Sequence, residues 1–133
     1  MIYMLDTNIC IYIIKQKPKD VIERFRKLRS ADICISSITY SELLYGAEKS
    51  TNIAKNLIAL TMFLSNIEVL PYDENASVDY GLLRAKLEKE GMPIGPLDML
   101  IAAHAKSLNI TLVTNNLKEF KRVKGLKLEN WVA

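Results

Sequence analysis

Ile2-Tyr3-Met4-Leu5-Asp6-Thr7-Asn8, residues 2–8, is the stretch that decides the fold. Its first four residues are apolar or aromatic and predict a short buried strand. Its last three residues are typical helix caps and predict a helix that extends to about Ile14. A strand that passes directly into a helix sets the pattern for the rest of the chain.

The same alternation continues along the sequence. Short apolar strands separated by helical crossovers predict a three-layer α/β/α domain with a mostly parallel sheet of about five short strands. No repeat or Gly/Ser linker interrupts the sequence, so residues 1–133 are expected to form one domain. The other predicted strands are 33–35, 67–70, 111–114 and 128–131, and the other predicted helices are 18–30, 36–47, 52–65, 74–89, 96–108 and 117–120.

The helix that begins at the Gly95-Pro96 signal receives a more detailed prediction. Helical spacing places Leu97, Ile101 and Leu108 on its core stripe. Ala102 and Ala105 fall on the same side as the acid at position 98, where small side chains are expected to leave room.

Composition excludes several classes of protein. The chain has 133 residues, of which 50% are hydrophobic and 25% charged, as in ordinary globular proteins and unlike disordered chains. The apolar run Ile9 to Ile14 is far shorter than the roughly 20 residues of a membrane span, and no leader peptide is evident, so a cytoplasmic protein without a membrane segment is expected. Cys10, Cys34 and the single histidine, His104, are too few and too scattered for a zinc site.

Basic residues are concentrated in two stretches, although the net charge is only +3. Residues 15–29 contain seven basic side chains, and residues 118–127 contain five. Such stretches attract polyanions, but solvated surfaces would have the same composition. Arg24, Arg26 and Lys27 are the candidate RNA-binding residues.

Four acidic residues are predicted to share one edge of the sheet. Asp6 follows the first strand, and Glu42 falls within two turns of the helix after the second. Asp98 is in the first turn of the helix before the fourth strand, and Glu119 comes five residues after that strand. Crossover helices begin where parallel strands end, so these positions should converge.

Each acid also has a structural interpretation that remains open at this point. Asp6 could cap a helix, and Thr39-x-x-Glu42 matches a capping box. Asp98 could stabilise a helix N-terminus, and Glu119 could be a solvated surface charge. These interpretations explain the acids one at a time, but they do not explain why the acids recur at one edge without basic partners.

A cluster of carboxylates without a counter-ion is costly to ionise, because like charges raise each other's pKa. A bound cation removes that cost. Since the ligands are oxygen atoms, the cation should be Mg²⁺, with Mn²⁺ as a substitute. The chemistry that suits such a site is metal-assisted hydrolysis of phosphodiesters.

Four motifs together resemble a PIN domain, and within that family they are similar to the VapC toxins of type II toxin-antitoxin modules. The resemblance covers essentially the whole chain, in order and at the family spacing. The motifs are Asp6-Thr7-Asn8, Ser41-Glu42-Leu43-Leu44-Tyr45-Gly46, Pro96-Leu97-Asp98-Met99-Leu100-Ile101-Ala102-Ala103-His104-Ala105 and Leu112-Val113-Thr114-Asn115-Asn116.

The resemblance implies a Mg²⁺-dependent endoribonuclease whose Asp6, Glu42 and Asp98 bind the metal, with Thr7 and Asn8 in support. It also implies a homodimer that is inhibited by a cognate VapB-type antitoxin, whose other end binds operator DNA. The RNA substrate would be structured, such as a tRNA.

The sequence departs from the family pattern after the fourth strand. Many PIN domains have an aspartate two residues after Thr114, whereas this chain has Asn116, preceded by Asn115. An amide is a weaker metal ligand than a carboxylate. Either Glu119 is the fourth catalytic acid, or three acids suffice.

Two alternative functions remain open from the sequence. Asp6 could be the nucleophile of a phosphoaspartyl enzyme, although such enzymes usually have a second acid where Asn8 stands. Alternatively, the chain could be a non-catalytic RNA- or protein-binding α/β domain in which the acids only cap helices.

Overall fold

The computed structural model of this protein describes residues 1–132. Each strand is separated from the next by one or two α-helices, as the sequence predicts. The strands are β1 (Tyr3–Leu5), β2 (Ile33–Ser36), β3 (Glu68–Leu70), β4 (Thr111–Val113) and β5 (Leu128–Glu129). The helices are α1 (Thr7–Ile14), α2 (Lys19–Lys27), α3 (Ser37–Glu48), α4 (Ile53–Leu64), α5 (Glu74–Lys89), α6 (Pro96–Leu108) and α7 (Leu117–Phe120).

The strands form one five-stranded sheet in the order β3-β2-β1-β4-β5, with every neighbouring pair parallel. The predicted mostly parallel α/β/α architecture is therefore confirmed. β1 is central, with Met4 opposite Cys34 on one side and Leu112 on the other. Consequently the Asp6-Thr7-Asn8 segment begins at the middle of the sheet edge.

Alternate residues of the central strands enter two cores on opposite faces of the sheet. Met4 and Leu112 pack with α5 and α6 on one face. Leu5 and Val113 pack with α1, α2, α3 and α4 on the other face, together with Trp131. This alternation explains why short strands without polar positions were sufficient to predict a sheet covered on both sides.

Helix α6 packs differently from the prediction. Ile101 is buried as expected, but Leu97 and Leu108 are 45% and 39% exposed, so the predicted leucine stripe is wrong. Ala102 and Ala105 are fully buried in the core cluster on the α5 and α6 face of the sheet, and the expectation that they leave room beside Asp98 stays a prediction. The physical reason is that α6 lies against both the sheet and α5, and small residues permit this close packing from two sides.

The remaining differences concern element ends. The second helix stops at Lys27 and is followed by a 3₁₀ turn at Ser30–Asp32, whereas the prediction extended it to residue 30. The last strand is only Leu128–Glu129. Among the helices within residues 1–132, none is both long enough and apolar enough to cross a membrane.

Candidate active site

Asp6 lies directly after β1 and caps α1. Its Oδ1 accepts a hydrogen bond of 3.0 Å from the backbone N–H of Ile9. The residue is only 5% exposed. Burial raises the pKa of Asp6, the Thr114 side chain and the N–H of Ile9 partly oppose this, and the charge of Glu42 raises it further. The helix cap predicted from the sequence is therefore present. The pKa of Asp6 is nevertheless raised, so ionising this carboxyl group still costs free energy.

Thr7 and Glu42 join the first helix to the third. Thr7 Oγ1 donates a hydrogen bond of 2.7 Å to Glu42 Oε1. The alternative capping-box arrangement is not formed, because α3 is capped by Ser36, whose Oγ accepts from the backbone N–H of Ile38 at 3.1 Å. Glu42 is thus held towards Asp6 and away from its own helix terminus.

Asp98 lies in the first turn of α6, which starts at Pro96. Its pKa is raised to about 7. Burial is the main cause, followed by the charge and side-chain hydrogen bond of Glu119 and then by the charges of Asp6 and Glu42. This carboxyl group therefore responds to the other three acids, which places all four in one electrostatic site.

Glu119 lies in α7 and points back towards α6. One of its carboxylate oxygens accepts a hydrogen bond from the backbone N–H of Gly95, and the other accepts one of 2.9 Å from Asn116 Nδ2. The N–H of Gly95 is the main reason that the pKa of Glu119 is lowered, and Asn116, Asp98 and Arg122 lower it further against the effect of burial. The two carboxyl groups of this pair are therefore shifted in opposite directions, with the pKa of Asp98 raised and that of Glu119 lowered.

The acids form two linked pairs. Asp6 and Glu42 lie on the α1 and α3 side, and Asp98 and Glu119 lie on the α6 and α7 side. Across residues 1–132, none of the four is ion-paired with a basic side chain, and no three acidic, His or Cys side chains are close enough to form a complete metal site. Four carboxylates without basic partners nevertheless fit Mg²⁺, because this ion usually binds one or two carboxylates and keeps several waters.

The asparagines after β4 have distinct positions. Asn116 caps α7 by position and supports Glu119, so the helical turn expected after it is present. Its backbone N–H donates to Thr114 Oγ1 at 3.0 Å. Asn115 Nδ2 donates to the hydroxyl of Tyr12 at 2.9 Å, which ties the end of β4 to α1. Asn8 is exposed.

Sequence reasoning missed two contributors to this site. The backbone N–H of Gly95 fixes Glu119, and a Cβ at this position would lie 3.4 Å from both Asp98 Oδ2 and Glu119 Oε1. The Gly-Pro helix start was the available signal, but it was interpreted only as a capping signal. Tyr12 gave no signal, because its contact with Asn115 joins residues 103 positions apart.

The first basic stretch is partly engaged in contacts within the protein. Arg24 is ion-paired with Glu129, and its guanidinium lies 5.7 Å from the Trp131 ring centroid. Arg26 and Lys27 are exposed on the same helix. Their role in binding RNA stays a prediction.

Comparison with known proteins shows the family to which this chain belongs. The family described as PIN domain matches residues 3–126. The tRNA(fMet)-specific endonuclease VapC of Salmonella typhimurium is 50% identical over 129 residues, which are 97% of each chain. Ribonuclease VapC2 of Haemophilus influenzae is 47% identical over 130 residues, 98% of each chain.

Solved structures agree with these relatives. In the crystal structure of DNA-bound VapBC from Salmonella typhimurium, the matching chain has a TM-score of 0.94 and 48% identity, covering 99% of both chains. VapBC2 from Rickettsia felis, bound to a DNA fragment from their promoter, gives a TM-score of 0.92 and 46% identity, covering 99% of this chain and 100% of the other. The chain belongs to the PIN domain family and, within it, to the VapC ribonucleases.

Proposed function

We propose that this chain is the toxin of a type II toxin-antitoxin pair and cleaves RNA as a Mg²⁺-dependent endoribonuclease, with residues 1–133 acting as one PIN domain. The observation that carries the assignment of the site is the convergence of Asp6, Glu42, Asp98 and Glu119 without a basic partner. The pKa of Asp98 is raised to about 7 mainly by burial, and the other three acids raise it further. Family membership favours this function over a phosphoaspartyl enzyme or a non-catalytic domain.

Asp6, Glu42 and Asp98 are the residues that would hold the metal ion. When bound, Mg²⁺ or Mn²⁺ supplies a water of lowered pKa and stabilises charge on the leaving oxygen. The donor set is all oxygen, which suits a hard cation.

The protein's own groups orient the reacting atoms. The Thr7 hydroxyl fixes one oxygen of Glu42, and Gly95 with Asn116 fixes both oxygens of Glu119. Because its pKa is raised to about 7, the Asp98 carboxyl would gain most from a bound cation, which favours the ionised form. In the reaction, the oxygen of water bonds to phosphorus, the bond to the leaving ribose oxygen breaks, and that oxygen is protonated.

The substrate that we propose is a structured RNA of the tRNA class. Two observations support this substrate class. The Salmonella typhimurium relative is a tRNA(fMet)-specific endonuclease, and this chain has a net positive charge. We further propose that the protein acts as a homodimer in the cytoplasm. A VapB-type antitoxin would neutralise it and carry operator DNA binding, since related chains were solved as VapBC bound to DNA.

Cleavage of purified tRNA tests the activity. The wild-type protein is expected to cut tRNA with Mg²⁺ and to leave a DNA strand of the same length intact. Asp98→Asn should be inactive, whereas Asp79→Asn, which removes an acid from α5 away from the cluster, should remain active. Equal cleavage by the wild-type protein and Asp98→Asn would contradict the assignment of the site.

The antitoxin proposal has a separate test. The product of a short open reading frame next to this gene should co-purify with the chain and suppress its nuclease activity. Operator DNA should shift only when the complex is present. If the isolated chain binds that DNA equally well, the proposal of indirect DNA binding is wrong.

A further inference from the structure

A second cationic surface lies outside the candidate active site, between α5, α6 and the segment that follows α7. Here Lys86, Lys106, Arg122 and Lys124 surround a depression of about 90 Å³. We name these four residues the α5/α6 basic surface. The floor beneath it is apolar, because Leu83, Leu87 and Val123 are buried. The first two cations come from parts of the sequence that the basic stretches did not include.

The charges of this surface are not neutralised within the part of the chain that the structure describes. None of its four basic residues forms an ion pair there, and none of the residues lining the depression is acidic. The first basic stretch differs, since Lys19, Arg24 and Arg29 are each paired with an acid. Within the described residues, three of the seven basic side chains of residues 15–29 are thus ion-paired, whereas none of the five in residues 118–127 is.

Arg122 connects the α5/α6 basic surface to the four acids. Its Nη1 donates a hydrogen bond of 2.9 Å to the carbonyl of Pro93. Two residues further on, the N–H of Gly95 binds Glu119, whose pKa the charge of Arg122 helps to lower. The surface is thus continuous with the edge at which the acids converge.

Packing restrains the side chain of Lys106, one of the four basic residues of this surface. A Cβ at Gly125, where φ is +82°, would lie 3.6 Å from Lys106 Cε and 3.8 Å from its Nζ. The Lys106 ammonium therefore lies close against the backbone of the turn after Arg122 and Lys124. A partly ordered ammonium loses less conformational entropy on binding an anion than a free lysine does.

We propose that the α5/α6 basic surface binds phosphates of the RNA substrate at a distance from the bond that is cut. The inference rests on the proposed ribonuclease function. Four acids at the cleavage site repel a polyanion, so the substrate needs cationic contacts on adjoining surface. The surface offers four separate positive charges, one of which, Arg122, adjoins the acids, and this suits the repeated charges of a nucleic acid backbone.

Direct binding of fluorescently labelled tRNA, measured in EDTA across a series of KCl concentrations, tests the proposal. EDTA keeps the readout independent of cleavage. Lys86→Gln/Lys124→Gln should raise Kd about tenfold at low salt and reduce the slope of log Kd against log[KCl] by about two. The matched control, Lys49→Gln/Lys55→Gln, removes the same charge from exposed positions outside this surface and outside the two basic stretches, and should leave the slope unchanged.

Three results would overturn the inference. Equal effects of the two double variants would show that only net charge matters, and no effect of either would show that the surface is merely solvated. If Lys86→Gln/Lys124→Gln binds tRNA normally but no longer binds the antitoxin, the surface serves an acidic protein. A wild-type protein that binds tRNA through this surface but never cuts it would contradict the proposed nuclease function and leave the surface assignment intact.

Discussion

Thr7 Oγ1 donates a hydrogen bond of 2.7 Å to Glu42 Oε1, which links two residues 35 positions apart in the sequence. The bond joins the start of α1 to the middle of α3 at the sheet edge where the acids meet. It leaves the second oxygen of Glu42 for a ligand. Thr7 is therefore a positioning residue for one of the acids.

Replacing Thr7 tests how much the orientation of the Glu42 carboxylate matters, because the change leaves the charge of the site unaltered. We expect Thr7→Val to lower kcat for tRNA cleavage about tenfold, because a hydrogen bond to a charged group contributes about 1.5–3 kcal/mol. Thr7→Ser retains the hydroxyl and should keep most of the activity. The free energy of unfolding should change little in either variant. Loss of kcat in Thr7→Ser combined with retained kcat in Thr7→Val would show that the methyl group, not the hydrogen bond, is what matters.

The pair of Asp98 and Glu119 predicts an unusual dependence of stability on pH. The pKa of Asp98 is 3.8 in a model peptide and about 7 in the folded protein. The folded state therefore binds more protons than the unfolded state between these values, and the stability contributed by this group is lost as pH rises through about 7. Without metal, the contribution of Asp98 to Tm should therefore fall as pH rises from about 4 to about 7, and the last part of this fall should be seen from pH 6.5 upward, before the profile levels off by pH 8.

The variant Asp98→Asn isolates this effect. It should have the flatter profile of Tm against pH and a Tm at pH 8 equal to or above that of the wild type. His104, whose pKa is lowered by burial, opposes Asp98 only below pH 6.5, because its contribution is lost as pH falls below its normal value. A wild-type profile parallel to that of Asp98→Asn from pH 6.5 to pH 8 would refute the raised pKa.

Glu119 and Asn116 should act together on metal affinity. We expect Glu119→Gln to raise the Mg²⁺ concentration for half-maximal cleavage several-fold, since it removes a carboxylate beside Asp98. Asn116→Ala removes the amide that donates to Glu119 at 2.9 Å and should have a smaller effect in the same direction. The two effects should not add in the double variant, because the amide works through the carboxylate.

Asn116→Asp should have two opposing effects on metal binding. It adds a carboxylate that could attract the cation, but it also removes the amide that donates to Glu119 and places two carboxylates next to each other. The change should therefore help only once metal is bound. Glu119→Gln with unaltered metal dependence, combined with total loss in Asn116→Ala, would make the amide the functional group.

Metal binding should be visible without any cleavage assay. Mg²⁺ and Mn²⁺ should raise Tm, because a ligand that binds only the folded state stabilises it as its concentration exceeds Kd. Zn²⁺ should do so poorly, since the site has no imidazole or thiolate ligand. EDTA should abolish cleavage of tRNA, and added Mg²⁺ should restore it. A Tm that rises equally with Mg²⁺ in Asp6→Asn and in the wild type would place the ion elsewhere.

Local signals explain which parts of the fold could be predicted. The bounds of α5 and α6 agree with the prediction because each has a strong start and stop nearby, such as the Asp73 cap and the left-handed Asn109. The exposed Leu97 and Leu108 could not be anticipated in the same way. Helical periodicity identifies candidate faces, but the packing of α5 and the sheet against α6 decides which face is covered.

The candidate active site likewise has features that the sequence predicts and features that depend on tertiary contacts. Convergence of Asp6, Glu42, Asp98 and Glu119 was predictable, because parallel strands and crossover helices bring those chain positions to one edge. Their separation into two pairs was not. It depends on hydrogen bonds such as that of the Gly95 backbone to Glu119, which is a main-chain contact that no side-chain pattern encodes.

The central position of β1 has a consequence for synthesis of the protein on the ribosome. β1 is made first, but one of its two sheet neighbours, β4, begins at Thr111. The first acid therefore emerges more than one hundred residues before the last, and a nascent chain has no completed catalytic edge until its final part leaves the exit tunnel. A damaging enzyme built in this order stays inert during its own translation.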